Sequence, residues 1–239
     1  IHHNPTVDFL VIVNPNSGPG DGPLPDANYA RELPRLNNYR NVTTVGYIRI
    51  DYCRKPLSEA GDEIARYAGW SRPAEPNSKL GVSGIFVDET PNLVGDSSER
   101  REEAYLRALN RVIKSQEGIL GGRLVLHNPG TATEAALTAT ADVTVVCEEP
   151  YERYRSPEVQ NWLAVHPLHR TRAGCMISGV PVQEEGEGDA NGELLLLHRL
   201  VQELRHRSAY IFVTEVKERF YESFGGRSWA ALMRALQAE

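Results

Sequence analysis

Short, nearly continuous apolar runs recur along the chain and predict seven β-strands. Runs of this length and composition are typical of strands that are covered on both faces, as in a parallel sheet. Longer segments with helical periodicity separate them. The predicted strands are 8–14, 43–51, 82–88, 123–128, 142–148, 173–180 and 208–215, and the predicted helices are 28–39, 56–70, 98–116, 132–138, 151–163, 193–206 and 228–237.

The regular alternation of strands and helices predicts an α/β protein with a parallel sheet. Seven strands are one fewer than a closed eight-stranded barrel contains. Two architectures remain open: a doubly wound open sheet, or a (β/α)8 TIM-like barrel whose first strand lay ahead of Ile1. The 239 residues contain no long linker, and the stretches 71–80 and 183–193 are expected to be surface loops, so we expect one domain over residues 1–239.

Polar side chains gather where the predicted strands end. In parallel α/β folds the carboxyl ends of the strands meet at one edge, and active sites are built there. We therefore expect these side chains to form a substrate site. The candidate substrate-binding residues are Asn14, Asn16, Tyr47, Arg49, Asp51, Tyr52, Asn128 and Tyr151.

Three carboxylic acids at these ends are the candidate catalytic residues: Asp88, Glu89 and Glu148. Ionised carboxyls beside an apolar core lose solvation and repel each other, so such a group needs compensation or a use. Hydrolysis of a glycosidic bond needs one protonated acid for the leaving oxygen and one carboxylate to attack or to activate water. These three acids have the chemistry for that reaction.

Each acid also has a structural alternative, as a helix cap or as the partner of an arginine. The candidate arginines are Arg49, Arg54 and Arg153. His127 is expected to be a hydrogen-bonded histidine of the core or the rim. The acids have no accompanying His-x-His or DxD pattern, and the cysteines Cys53, Cys147 and Cys175 have no metal-ligand spacing, so no metal site is predicted.

Composition and motifs argue against several classes of partner and cofactor. With 32 acidic and 26 basic side chains and a net charge of -6, the chain lacks the basic surface that nucleic acid selects. No apolar run approaches the ~20 residues that cross a bilayer. The stretch "NPNSGPGDG" (14–22) follows a strand, but Pro19 and Pro23 interrupt what would have to become a helix, so we expect a rigid turn there and no nucleotide cofactor.

The motifs "VIVNPNSGPG", "GYIRIDY", "GIFVDE", "LVLHNPGT" and "VVCEEPYE" resemble, in the same order, the spherulin-4-like family of fungal and bacterial cell-surface proteins, which includes glycoside hydrolase family 135. The resemblance implies a (β/α)8 barrel and an endo-acting hydrolase for α-1,4-linked N-acetylgalactosamine, as in the galactosaminogalactan of mould biofilms. By position, the adjacent acids of the family's "DE" motif are Asp88 and Glu89, and its later glutamate is Glu148.

The resemblance also implies a secreted or surface-attached protein that acts on a polysaccharide without a cofactor, expected to be a monomer. Family members usually begin with one more strand, so we expect this chain to be truncated at its N-terminus. Cys147 and Ser178 stand where the family tends to have Phe and His. Two alternatives to the predicted hydrolase remain open: a sugar-binding surface protein that does not turn over substrate, and an enzyme for another amino-sugar polymer.

Overall fold

The computed structural model describes residues 1–72, 79–94, 100–181, 190–223 and 226–237, with the backbone alone for residues 190–195. Within this part of the chain, strands and helices alternate. The strands are β1 (Phe9–Val13), β2 (Val42–Arg49), β3 (Gly84–Asp88), β4 (Leu124–Asn128), β5 (Val143–Pro150), β6 (Ala173–Ser178) and β7 (Tyr210–Val213). The helices are α1 (Ala27–Leu36), α2 (Leu57–Gly69), α3 (Arg101–Ser115), α4 (Ala135–Thr138), α5 (Tyr151–Tyr154), α6 (Pro157–Val165), α7 (Ala190–Arg207) and α8 (Gly226–Gln237).

The seven strands form one sheet in the order β1-β2-β3-β4-β5-β6-β7. The paired strands run parallel, with Gly46 opposite Ile85 and Asp88 opposite Asn128. A doubly wound sheet reverses its strand order part of the way across, whereas a (β/α) barrel adds each strand beside the one before it. The observed order is that of the barrel, so the doubly wound alternative is excluded.

By its packing the chain divides into two units, Ile1–Pro129 with Thr133–Thr144, and Gly130–Ala132 with Val145–Glu239. In the first unit, α2 and α3 cover one face of the sheet and bury a continuous apolar core. Two aromatic side chains of this core, Tyr67 and Trp70, meet edge to face with ring centroids 4.6 Å apart. The core includes Ile48, Ile50, Ile64, Ile85, Val87, Leu106, Leu109 and Ile113.

In the second unit, α7 packs against β7 and α8. The buried side chains on these elements and on β6 include Ile177, Leu197, Val201, Leu204, Val213 and Leu232. Cys175 is also buried here, with its Sγ 3.0 Å from Oγ of Ser208. Cys53, Cys147 and Cys175 are all free thiols.

The prediction of one helix over 151–163 was wrong, because two helices occupy this stretch. Ser156 caps the second of them by accepting a hydrogen bond from the Val159 N–H, and Pro157 takes the first helical position. A proline there cannot continue the preceding helix but has the φ that a new one needs.

Two other predictions fall partly outside the described residues. The expected start of the third helix at 98 and most of the expected loops at 71–80 and 183–193 lie there. Where the second loop is described, residues 190–193 are already helical, so α7 begins three residues earlier than the pattern indicated.

Candidate active site

The carboxylate of Asp88, at the end of β3, is held by three donors. The hydroxyl of Tyr47 donates to Oδ2 at 2.6 Å, and the side-chain amide of Asn128 donates to Oδ1 at 2.8 Å. The backbone N–H of Glu89 also donates to Oδ1, at 2.9 Å. Three donors on one carboxyl group fix the orientation of its oxygens.

The phenol of Tyr47 is a donor at its ordinary pKa, and its surroundings raise that pKa further. Burial is the main cause, and the hydrogen bond to the Asp88 carboxylate adds to it. The ring of Tyr47 also stacks on Phe86, with centroids 6.0 Å apart. The phenol is therefore protonated over the whole range in which a carboxylate acts, and its ring is fixed by packing.

Tyr67 supports Tyr47 from α2. Its hydroxyl accepts a hydrogen bond from the Tyr47 N–H at 3.1 Å and lies 2.9 Å from the Tyr47 carbonyl oxygen and 3.0 Å from that of Val13. The ring fills the space beside Gly46, where a Cβ would lie 2.7 Å from it. Sequence analysis missed Tyr67. The available signal was Gly46, because a glycine inside a strand often marks a close approach by another part of the chain.

Glu89 follows Asp88 in the left-handed backbone region, with φ at +53°. Its Oε1 lies 3.6 Å from Nη1 of Arg49, whose side chain is 54% exposed. An exposed pair at this distance is weak. The next residue, Thr90, donates its N–H to the carbonyl oxygen of Asn128 at 3.2 Å. Asp88 is therefore held by neutral donors, whereas Glu89 has a loosely paired cation as its partner.

Asp51 and Tyr52 lie in the turn that follows β2. Both oxygens of Asp51 accept hydrogen bonds from the guanidinium of Arg54, at 2.5 and 3.0 Å. The structural alternative, an acid paired with an arginine, therefore describes Asp51. The side chain of Tyr52 is exposed.

The predicted rigid turn after β1 is held by its own polar groups. Oδ1 of Asn14 accepts the N–H of Gly18 at 3.0 Å, and the Asn16 N–H donates to the Gly18 carbonyl at 3.2 Å. The guanidinium of Arg66 on α2 donates to the carbonyl oxygen of Gly20 at 2.7 Å. Asn14 thus stabilises the turn, while the side chain of Asn16 is exposed to solvent.

In the second unit, Glu148 and Glu149 lie near the end of β5, and both are half-buried. The Glu148 N–H donates to the carbonyl oxygen of Gly130 at 2.8 Å. Oε1 of Glu149 lies 3.8 Å from Nε of Arg153, and burial raises the pKa of Glu149 although Arg153 opposes the shift. Tyr151 is the first residue of α5 and is half-buried.

His127 is a core histidine, as expected. It is 2% exposed, and its Nε2 lies 3.0 Å from Oδ1 of Asn110 on α3. The neutral ring thus forms a buried side-chain hydrogen bond with the Asn110 amide. Burial lowers the pKa of His127 to about 4, with Asp142 opposing the shift. A buried neutral histidine of this kind is a residue of the core and takes no part in the candidate site.

The structure therefore brings Tyr47, Asp88, Asn128, Glu89 and Arg49 together in the first unit, and it places Glu148 and Tyr151 in the second.

Within the described part of the chain, no group of three or more His, Cys, Asp or Glu side chains could hold a metal ion. Over the same residues, no helix is both long enough and apolar enough for a membrane span.

Parallel strands in chain order, alternating with helices, define the class of (β/α)-barrel proteins. The sequence profile of the spherulation-specific family 4 matches residues 1–236, and the chain belongs to this family. The crystal structure of Aspergillus clavatus Sph3 in complex with GalNAc is similar to the whole chain at 35% identity and a TM-score of 0.88, and the match covers 89% of the Sph3 chain. The predicted fold class, a TIM-like (β/α) barrel, is confirmed, with seven strands in the described part of the chain.

Two further solved structures are more distantly similar. One is a double mutant of an endo-β-N-acetylglucosaminidase from Cordyceps militaris, with 14% identity, a TM-score of 0.47, and coverage of 97% of this chain and 91% of the other. The second is a broad-specificity GH5-4 endoglucanase from an uncultured bacterium, with 11% identity, the same TM-score, and coverage of 97% and 81%. Neither supports an inference about this chain's chemistry. No curated protein sequence matches the chain.

Proposed function

We propose that this protein is a glycoside hydrolase that cleaves α-1,4-linked N-acetylgalactosamine inside a galactosaminogalactan-type exopolysaccharide. The observation that carries the proposal is the pair of adjacent carboxylates Asp88 and Glu89, one fixed by three donors and the other loosely paired. The likeness to Sph3, whose crystal structure contains GalNAc, supports the choice of sugar. An extracellular polymer as substrate requires a protein that is secreted or held at the cell surface.

The three acids have different roles in this proposal. Glu148 is the general acid that protonates the leaving oxygen. Asp88, which Tyr47 and Asn128 hold in place, acts in its carboxylate form, either as nucleophile or as the group that orients the acetamido arm of the substrate. Glu89 supports the developing positive charge on the sugar from the adjacent position.

The experiment compares Asp88→Asn, Glu89→Gln and Glu148→Gln with the parent protein on purified galactosaminogalactan. We expect kcat to fall by about three orders of magnitude or more for Asp88→Asn and Glu148→Gln, because each removes a group that acts in the transition state. Full activity of all three variants would rule out the catalytic roles proposed for these acids. A parent protein that binds the polymer and releases no fragments would instead be a carbohydrate-binding surface protein.

A second substrate tests which residue is the general acid. An aryl α-glycoside of an N-acetylgalactosamine oligosaccharide with an acidic phenol as leaving group needs little protonation. The Glu148→Gln variant is therefore expected to recover most of its lost rate on this substrate, whereas Asp88→Asn is not. Equal losses on both substrates for Glu148→Gln would assign the proton donor to another residue. A panel of other amino-sugar polymers tests the specificity.

A further inference from the structure

The turn after β2 contains three consecutive residues in the left-handed backbone region. The φ angles are +48° for Asp51, +51° for Tyr52 and +66° for Cys53. In this region the Cβ of an L-residue crowds the backbone, so residues other than glycine visit it singly and seldom in a row. The surrounding structure must impose the conformation of this turn.

Several hydrogen bonds impose it. The Tyr52 N–H donates to the carbonyl oxygen of Glu89 at 2.8 Å, and the Ile50 N–H donates to that of Asp88 at 3.1 Å. The guanidinium of Arg54 binds both oxygens of Asp51. The turn is thus joined directly to the backbone of the two adjacent acids of the candidate site.

The side chains of Cys53 and Tyr52 in this turn lie in different environments. Cys53 is partly buried and packs against the apolar core, and burial raises the pKa of its thiol to about 12. Tyr52 is 54% exposed. The guanidinium carbon of Arg54 lies 5.8 Å from the centroid of the Tyr52 ring. The strained backbone therefore presents an aromatic ring to solvent, on a residue whose own N–H binds the carbonyl oxygen of Glu89.

We propose that Tyr52 is a stacking platform for a sugar ring of the polysaccharide, in the subsite next to Glu89. This inference rests on the proposed function and adds one binding contact to it. In a galacto-configured ring the C–H bonds at C3, C4 and C5 point to one face, and such an apolar face packs on the face of an aromatic ring. An aromatic side chain also loses little conformational freedom when it binds, since it has two side-chain torsions.

The left-handed backbone at Tyr52 points to a role other than folding, because the exposed side chain adds little to the packing of the protein. The side chain of Tyr52 stays largely in solvent, so a residue that tolerates the left-handed region, such as asparagine, would relieve strain without loss of core packing. A binding role explains why an aromatic residue occupies the position. A purely structural role predicts instead that stability and activity change together.

The test uses Tyr52→Phe, Tyr52→Ala and Tyr52→Asn, with Tyr39→Ala as the matched control. Tyr39 is a 37% exposed tyrosine just ahead of β2, at the opposite end of the strand from Tyr52. The measurements are KM and kcat on galactosaminogalactan and the melting temperature of each variant. We expect Tyr52→Ala and Tyr52→Asn to raise KM about tenfold while kcat stays within about twofold.

Tyr52→Phe keeps the ring and is expected to match the parent protein, as is Tyr39→Ala. Tyr52→Asn is expected to melt at or above the parent's temperature while it binds the polymer more weakly. An unchanged KM in Tyr52→Ala would overturn the proposal that Tyr52 is a stacking platform and would leave the proposed function intact. A parent protein without turnover of this polymer would overturn the proposed function and the platform with it. A joint fall of melting temperature and activity in the Ala and Asn variants would overturn the platform by assigning Tyr52 to folding.

Discussion

The hydroxyl of Tyr47 reaches along the sheet to Oδ2 of Asp88, at 2.6 Å, although the register places Tyr47 opposite Phe86 and Arg49 opposite Asp88. Side chains two residues apart on a strand share a face, so all four side chains lie on one face of β2 and β3. The Tyr47 ring packs on Phe86, and its hydroxyl binds the carboxylate beyond it. One tyrosine thus links the packed part of the sheet to the candidate catalytic acid.

Tyr47→Phe should lower kcat while the fold remains intact. The variant keeps the ring that packs on Phe86 but removes the donor to Asp88, and a hydrogen bond to a charged group contributes about 1.5–3 kcal/mol, or roughly ten- to a hundredfold in rate. The measurement is kcat on galactosaminogalactan, with circular dichroism to check the fold.

Tyr154→Phe is the matched control for that experiment. The Tyr154 hydroxyl also donates to a carboxylate, that of Glu203, at 2.7 Å. This control should lose stability and keep kcat. Equal losses of activity in the two variants would mean that the loss of a phenol hydrogen bond at either position has the same effect. The hydrogen bond between Tyr47 and Asp88 would then have no special role in catalysis.

Gly46→Ala should destabilise the protein, whereas Gly61→Ala should stabilise it. A Cβ at position 46 would lie 2.7 Å from the Tyr67 ring, and a Cβ at position 61, on α2, would meet nothing within 4 Å. Overpacking costs about 1–3 kcal/mol, and replacing a helical glycine by alanine contributes up to about 1 kcal/mol. Urea unfolding of the two variants measures both effects. A neutral Gly46→Ala would mean that Tyr67 moves aside without cost.

The fold was predictable because its signals are local, and the site was predictable only in part. The apolar runs and their alternation with helices indicated the parallel sheet, and polar residues after each run indicated the edge that carries Asp88 and Asn128. The partners of Asp88 depend on register and on the reach of Tyr47, which a linear pattern does not contain. Tyr67 was missed for the same reason, since its contact with Gly46 joins a helix to a strand.

The turn at Asp51–Cys53 was missed for a different reason. Left-handed conformations are predicted from glycine and asparagine, and "DYC" contains neither. Its conformation comes from hydrogen bonds to Asp88 and Glu89, which are distant in the sequence. The end of α5 was missed although Ser156 and Pro157 signal it, because the apolar periodicity continues across them.

Acid should destabilise the protein through His127. The unfolded chain binds a proton on this histidine near pH 6.5, whereas burial lowers the pKa in the folded protein to about 4. The unfolded state therefore binds more protons between these values, and the free energy of unfolding should fall by about 3 kcal/mol as the pH drops from 6.5 to 4. Above pH 6.5 this group has no effect.

His127→Gln isolates the contribution, because its side-chain amide can donate to Asn110 and does not titrate. Urea unfolding at several pH values should give a smaller acid-dependent loss for the variant than for the parent protein. Parallel curves for the two proteins between pH 6.5 and 4 would show that other groups cause the acid sensitivity.

Asn128→Asp should move the pH dependence of catalysis upward. The Asn128 amide donates to Oδ1 of Asp88 at 2.8 Å, so an aspartate there places two carboxyl groups within hydrogen-bond distance. Such a pair shares a proton, and its higher apparent pKa lies well above that of a single carboxyl. If Asp88 acts in its ionised form, the variant should be inactive at acid pH and recover as the shared proton leaves. Asn128→Ser, which removes the amide donor but adds no charge, should lower kcat and shift the profile much less than Asn128→Asp does. The measurement is kcat from pH 4 to 8 on galactosaminogalactan, and an unshifted profile for Asn128→Asp would contradict the role of Asp88 as the ionised acid.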